Sequence, residues 1–166
     1  MRAAVLTISD KGSRNEREDK SGPAVVAILK EMGATVELCE IVPDEQDRIM
    51  ERLLDYADRL QMDLVVTTGG TGVSPRDVTP EATTAVLDRR LPGLAEAMRM
   101  ESFKITPHAL ISRAVCGIRK ETLILNLPGS PRAAAENLGF ILKALPHAVA
   151  KIKGDPSDCG AIDLTQ

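Results

Sequence analysis

Two glycine-bearing stretches and two aspartates carry the chemistry that can be read from this chain. The first stretch, Thr67-Thr68-Gly69-Gly70-Thr71-Gly72, follows the apolar run Leu64-Val65-Val66. The second, Pro128-Gly129-Ser130-Pro131, follows Thr122-Leu123-Ile124-Leu125-Asn126-Leu127. A strand that ends in glycine exposes backbone N–H groups with no Cβ in the way. A helix starting beside it adds unpaired N–H groups and a partial positive charge. Such places bind anions, phosphate above all. The first stretch is neither a Rossmann fingerprint nor a Walker A loop, since G-x-G-x-x-G and Gly-Lys-Ser/Thr are both absent. A plain turn would need fewer small and hydroxyl residues than Thr68, Gly69, Gly70, Thr71 and Gly72 supply.

Asp77 lies just past the first stretch and ahead of Thr79-Pro80. A carboxylate there suits Mg²⁺ held between phosphates, or local backbone hydrogen bonds in a loop. Asp44 stands between a strand and a helix, where capping the helix is the first expectation. Its place at a strand's carboxyl end also points it to the same rim. Two carboxylates facing two phosphate sites is the pattern of metal-assisted phosphoryl or nucleotidyl transfer. Ser130 serves as a helix cap, a phosphate ligand or both. Arg76, Arg113, Arg119 and Lys120 are candidate anion clamps. His108 and His147 are isolated and without ligand spacing.

The elements that must position these residues follow from hydrophobic periodicity. Residues 2–9 and 35–42 read as strands. Residues 22–32 read as a helix, with Pro23 in its first turn and Gly33 as its stop. A helix capped by Asp44 is expected to about Leu60, then a strand over 63–68. Thr79 as cap and Pro80 at the first helical position start a helix to about Asp88. A short helix follows Leu91-Pro92-Gly93 to about Ser102. Strands over 113–119 and 122–127 form a hairpin through Lys120-Glu121. Ser130 opens the last long helix, which Pro146 ends or kinks. This order predicts an α/β domain with a mostly parallel sheet, helices on both faces, and ligands beyond the carboxyl ends of the strands. Residues 1–154 read as a single domain and 155–166 as a polar, loosely held tail.

Composition narrows the function classes. The chain has 166 residues, enough to bury a full core in one domain. Aromatics are 2% of residues, so aromatic platforms for stacking bases are lacking. A net charge of −3 argues against nucleic acid or membrane surfaces as partners. Cys39, Cys116 and Cys159 form no C-x-x-C pair, which disfavours zinc and fits a reducing cytoplasm. Cys116 is expected in the core. No signal-peptide core or membrane-spanning run is expected.

With Thr68 to Gly72, Arg76-Asp77-Val78-Thr79-Pro80 and Asn126-Leu127-Pro128-Gly129-Ser130-Pro131 in view, the chain resembles the Mog-type molybdopterin adenylyltransferases. These share a domain with the G domains of gephyrin and of the plant molybdenum-cofactor enzymes. Leu6-Thr7-Ile8-Ser9-Asp10, Asp19-Lys20-Ser21-Gly22 and Val42-Pro43-Asp44-Glu45 add to the likeness, which covers about residues 2–150. It implies a three-layer α/β/α fold, a homotrimer and a cytoplasmic enzyme that hands its product to a downstream molybdate-insertion enzyme. It implies Mg²⁺-dependent transfer of AMP from ATP to the molybdopterin phosphate, with release of pyrophosphate. The catalytic, metal-holding aspartates fall on Asp44 and Asp77. The molybdopterin phosphate loops fall on Thr68, Gly69, Gly70, Thr71, Gly72, Pro128, Gly129 and Ser130. The nucleotide residues fall on Ser9, Asp10, Asp19, Ser21 and Gly22. Glu81 departs from the Asp of many relatives, and Val73-Ser74-Pro75 fills a variable stretch. The alternative is a non-catalytic molybdopterin carrier of the Moa-type branch. Pro43-Asp44-Glu45 and the run from Arg76 to Pro80 favour the Mog branch.

Overall fold

The computed structural model describes residues 1–157. Its six-stranded sheet has the order β2-β1-β3-β6-β5-β4. The strands are β1 (Arg2–Ile8), β2 (Thr35–Val42), β3 (Leu64–Thr68), β4 (Arg89–Arg90), β5 (Cys116–Arg119) and β6 (Thr122–Leu127). β1 pairs in parallel with both β2 and β3, and β3 with β6. The β4–β5 and β5–β6 pairs are antiparallel. β3 and β6 are buried at every residue, which is why both read as continuous apolar runs. β2 lies at one edge and alternates in exposure, while β4 is a two-residue strand at the other edge.

The helices are α1 (Asp10–Ser13), α2 (Ser21–Glu31), α3 (Gln46–Leu54), α4 (Thr79–Val86), α5 (Pro92–Phe103), α6 (Pro131–Ile141) and α7 (Leu145–Ile152). One π-helical turn, Asp55–Arg59, extends α3, and a 3₁₀ turn, Pro107–Ile111, follows α5. Side chains alternate across the sheet with the strand period of two. Val5, Val66 and Leu125 face Val25, Leu29, Met98 and Leu138 on one side. Leu6, Val65 and Ile124 face Ile49, Leu53, Tyr56 and Ala82 on the other. The expected three layers are therefore present, with α2, α5, α6 and α7 on one face and α3 and α4 on the other.

Several local expectations need correction. Asp44 does not cap α3, whose N-cap is Glu45 with no side-chain bond. Thr79 is the first residue of α4, after an N-cap at Val78. The hydroxyl of Thr79 donates instead to the Gly69 carbonyl at 2.9 Å. β5 starts at Cys116 rather than 113, because Arg113 and Ala114 are drawn into other contacts. The helix opened by Ser130 is interrupted before Pro146, by a 3₁₀ turn over Leu142–Ala144, and Pro146 sits in the first turn of α7, where a missing N–H costs nothing. Asp155 and Ser157 are tied to each other and to Lys151, so the tail's first residues are held. The rest of it, including Cys159, lies outside the described residues.

Asn126 is the one fully buried amide side chain of β6. Its Nδ2 donates to the Thr67 and Thr83 hydroxyls at 2.9 Å each, and its Oδ1 accepts from Val115 N at 3.2 Å. It thereby joins β3, β6, α4 and the lead-in to β5. Replacing Asn126 with Ala deprives two buried hydroxyls and the Val115 amide of this partner, so we expect a loss of about 2 kcal/mol. A lower urea midpoint at unchanged slope would show it; an unchanged midpoint would contradict it.

Candidate functional site

β1, β3 and β6 run parallel and in register, so Thr7, Thr68 and Leu127 end at one rim. There the backbones crowd. Gly69 has φ +105, and a Cβ on it would lie 2.2 Å from the Ile8 carbonyl oxygen. Gly70 has φ +62, and a Cβ there would meet the Thr79 hydroxyl at 2.4 Å and Asp44 Oδ1 at 3.2 Å. Gly69 N donates to Leu127 O at 3.1 Å, and the Thr68 hydroxyl donates to Pro128 O at 2.8 Å. The two predicted loops thus lock together into one backbone ridge.

A cleft opens on each side of the ridge, and Gly70 and Gly129 belong to both. The larger, about 740 Å³, is lined by Ser9, Asp19, Ser21, Asp44 and Ser130 among others. The smaller, about 400 Å³, is lined by Thr71, Gly72, Asp77, Ser102, His108 and Asn137 among others. The division between phosphate loops and nucleotide residues therefore does not match the division between clefts. Thr68, Gly69, Gly129 and Ser130 share the larger cleft with Ser9, Asp19 and Ser21. Ser130 caps α6 as expected, its Oγ accepting from Ala133 N at 3.5 Å.

Asp44 and Asp10 hold each other through their backbones. Asp10 N donates to Asp44 Oδ2 at 2.8 Å, and Asp44 N donates to Asp10 Oδ1 at 3.0 Å. Arg76 closes on Asp10 with two bonds, at 2.8 and 3.0 Å. That pair holds the Asp10 carboxyl below its ordinary range. Burial pushes the Asp44 carboxyl up, and the charges of Asp10 and Asp77 add to it, against the Asp10 amide and the charge of Arg76. Asp77 accepts from Ser74 N at 2.8 Å through Oδ2. Among the described residues, no hydrogen bond engages Asp44 Oδ1 or Asp77 Oδ1.

Other sequence candidates turn out to be engaged with the protein itself. The Asp19 carboxylate accepts from Thr7 Oγ1, Ser21 N, Ser21 Oγ and Gly22 N at 2.6–3.0 Å. Asp19 thus fastens the head of α2, and both oxygens of Asp10 are taken as well. Arg113 is not an anion clamp, because it donates to the Gly72 and Asp77 carbonyls and pairs with Glu81. Arg119 and Lys120 pair with Asp58, away from the rim.

The family described as "Probable molybdopterin binding domain" matches residues 4–147. The chain belongs to this family. It is 46% identical over 153 residues to the molybdopterin adenylyltransferase of Helicobacter pylori strain 26695, covering 91% of this chain and 87% of that protein. It is 45% identical to Dictyostelium discoideum gephyrin over 92% of this chain, but spans only 22% of that protein's length. The fold agrees with the crystal structure of the molybdopterin biosynthesis enzyme MoaB from Thermus thermophilus. That comparison gives a TM-score of 0.88 and 49% identity over 95% of this chain and 99% of that one.

The smaller cleft contains residues that the sequence leaves unmarked. Ser102 is 8% exposed, lines the smaller cleft, and has no partner for its hydroxyl among the described residues. Ile105, Ile111 and Asn137 share that cleft. Ser102 and Asn137 sit on helices α5 and α6 whose periodicity reads as ordinary packing, so no local signal marks them. Arg113 carries a signal that was legible but pointed to the wrong partner.

The raised Asp44 carboxyl has a consequence for stability. Its folded-state value lies above the unfolded one, so stability is lost as pH rises from the ordinary aspartate range through the folded value. Asp44→Asn removes that penalty. We expect the ligand-free variant to melt higher than the parent at neutral pH. The gain closes as pH falls below the ordinary aspartate value of about 3.9. A variant that melts lower at neutral pH would contradict this.

Proposed function

We propose that the chain is a molybdopterin adenylyltransferase, transferring AMP from ATP to the molybdopterin phosphate and releasing pyrophosphate. One observation carries the reading. Two clefts meet at a backbone ridge, and each holds an aspartate beside that ridge with one oxygen unengaged among the described residues, Asp44 in the larger and Asp77 in the smaller. Two substrates that react through phosphates need that arrangement. The smaller cleft, with apolar walls and the orphan Ser102 hydroxyl, suits the pterin ring. The larger, with the Ser9 and Ser21 hydroxyls and the head of α6, suits ATP.

Mg²⁺ fits the donor set. Asp44 is a partly buried carboxylate, Asp77 a second, and each keeps one free oxygen; Mg²⁺ is commonly held by one or two carboxylates plus substrate phosphates. Bound there, the ion would offset the charge that builds on the leaving pyrophosphate. The chain's own residues do the rest by positioning. Gly69, Gly70 and Gly129 let the phosphates approach the backbone, Ser130 and the α6 N-terminus hold them, and Asp10 keeps Asp44 aimed. Ser21 and Gly22 shape the wall that Asp19 fastens.

The proposal includes one domain over residues 1–154, a homotrimer, a cytoplasmic setting and a downstream molybdate-insertion enzyme as recipient. Exposed Met100, Phe103 and Leu110 support burial against another copy. Light scattering that gives a monomer at micromolar protein would remove the trimer. A second reading, a molybdopterin carrier, is favoured by the family's description, which names binding and no transfer.

Pyrophosphate release on mixing the protein with molybdopterin, Mg²⁺ and ATP separates the two. We expect release that requires molybdopterin and falls about 10²–10³-fold in Asp77→Ala and in Asp44→Ala. Both variants should fold and retain most of their pterin affinity. Tight pterin binding without release would leave the carrier. Wild-type rates in both variants would overturn the assignment of the aspartates.

A further inference from the structure

The loop that carries Asp77 is fastened by a residue outside it. Between Gly72 and Asp77 the chain runs through Val73, Ser74, Pro75 and Arg76, all exposed. Val73 alone is 65% exposed, so packing does little to fix this stretch. Inside the loop, Asp77 N donates to Ser74 O at 2.9 Å and Ser74 N to Asp77 Oδ2 at 2.8 Å. Those bonds shape the turn but do not attach it to the body of the protein. The attachment comes at the neck. Arg113 Nε donates to Gly72 O and Arg113 Nη2 to Asp77 O, each at 2.6 Å. Arg113 N donates to Thr71 O at 2.9 Å, and Glu81 of α4 pairs with Nη1. One planar guanidinium thus bridges the two carbonyls that bracket the loop, while Glu81 fixes its tilt.

We infer that Arg113 is a positioning residue for Asp77, setting where that carboxylate stands at the metal and phosphate site. The inference rests on the proposed role of Asp77. Charge-assisted bonds to carbonyls are short, directional and about twice as strong as neutral ones. A lysine offers a point charge and cannot bridge both carbonyls with fixed geometry. Arg113 touches neither cleft's substrate space directly, since its arms are spent on Gly72, Asp77 and Glu81. Its effect therefore passes through the loop. The other tie on this loop, Arg76 to Asp10, holds the loop's side chain rather than the two carbonyls that bracket it.

The experiment reads metal affinity in the folded protein. Mn²⁺ in place of Mg²⁺ is titrated by electron paramagnetic resonance in the presence of ATP. Parent, Arg113→Lys, Glu81→Gln and Asp77→Asn proteins are compared, each with a urea midpoint. We expect Asp77→Asn to weaken Mn²⁺ binding at least tenfold and Arg113→Lys about five- to tenfold. Glu81→Gln should weaken it two- to threefold, with ATP affinity measured without metal unchanged in all. If Arg113→Lys lowers the urea midpoint but binds Mn²⁺ like the parent, its role is structural and the inference is overturned. Should Arg113→Lys fail to fold, Glu81→Gln decides in the same way. If Asp77→Asn also binds Mn²⁺ like the parent, the proposed metal role of Asp77 itself has failed.

Discussion

The approach of the Gly69 backbone to the carbonyl end of β1 is the constraint on which the rest of the site depends. Three parallel strands end together, and the chain leaving β3 must cross the end of β1 with no room for a Cβ. Because Gly69 turns there, its amide reaches the end of β6, and the loop after β6 packs against it. Gly70 then brings Thr79 close enough to bond the Gly69 carbonyl, which fixes the start of α4. The ridge between the clefts is the outcome of this crowding. A side chain at Gly69 would have to displace backbone rather than a flexible neighbour.

Around the ridge, electrostatics are arranged unevenly. Asp10, the more exposed carboxylate, is bonded by Arg76; Asp44, the more buried one, is bonded by an amide and feels Arg76 only through space. A partly buried carboxylate with no cation bonded to it in a cleft is a common mark of a functional group. The energy that Asp44 costs the folded chain is available to any cation that arrives with a phosphate. Asp19 shows the contrary case: four donors surround its carboxylate, and it serves to fasten a helix.

What could be read from the sequence was whatever depends on near neighbours. β3 and β6 announce themselves because strands buried on both faces must be continuously apolar. Ser130 and Pro131 mark the head of α6 because capping is local. Asp44 misled for the same reason: it stands where a cap belongs, yet its bond goes to Asp10, 34 residues back. Thr79 repeats the error, with its hydroxyl spent on Gly69. Arg113 reads as a free cation, but its carbonyl partners lie 36 and 41 residues away in sequence. Only the glycine-loop side of the smaller cleft is legible in the sequence, because Ser102, Ile111 and Asn137 join it through tertiary packing alone.

The two borders of the sheet bear on how this protein avoids edge-to-edge strand pairing in a crowded solution. A free strand edge presents unpaired N–H and C=O groups and invites another strand to add to it. Here one border is β4, too short at two residues to template anything, and both of those residues are arginine. The other is β2, long enough to be a hazard. It carries Glu37 and Glu40, each paired with an arginine, Arg2 and Arg52. An incoming β2 from a second molecule would bring like charges together and would have to break those pairs. Strand addition is thus discouraged at both ends of the sheet.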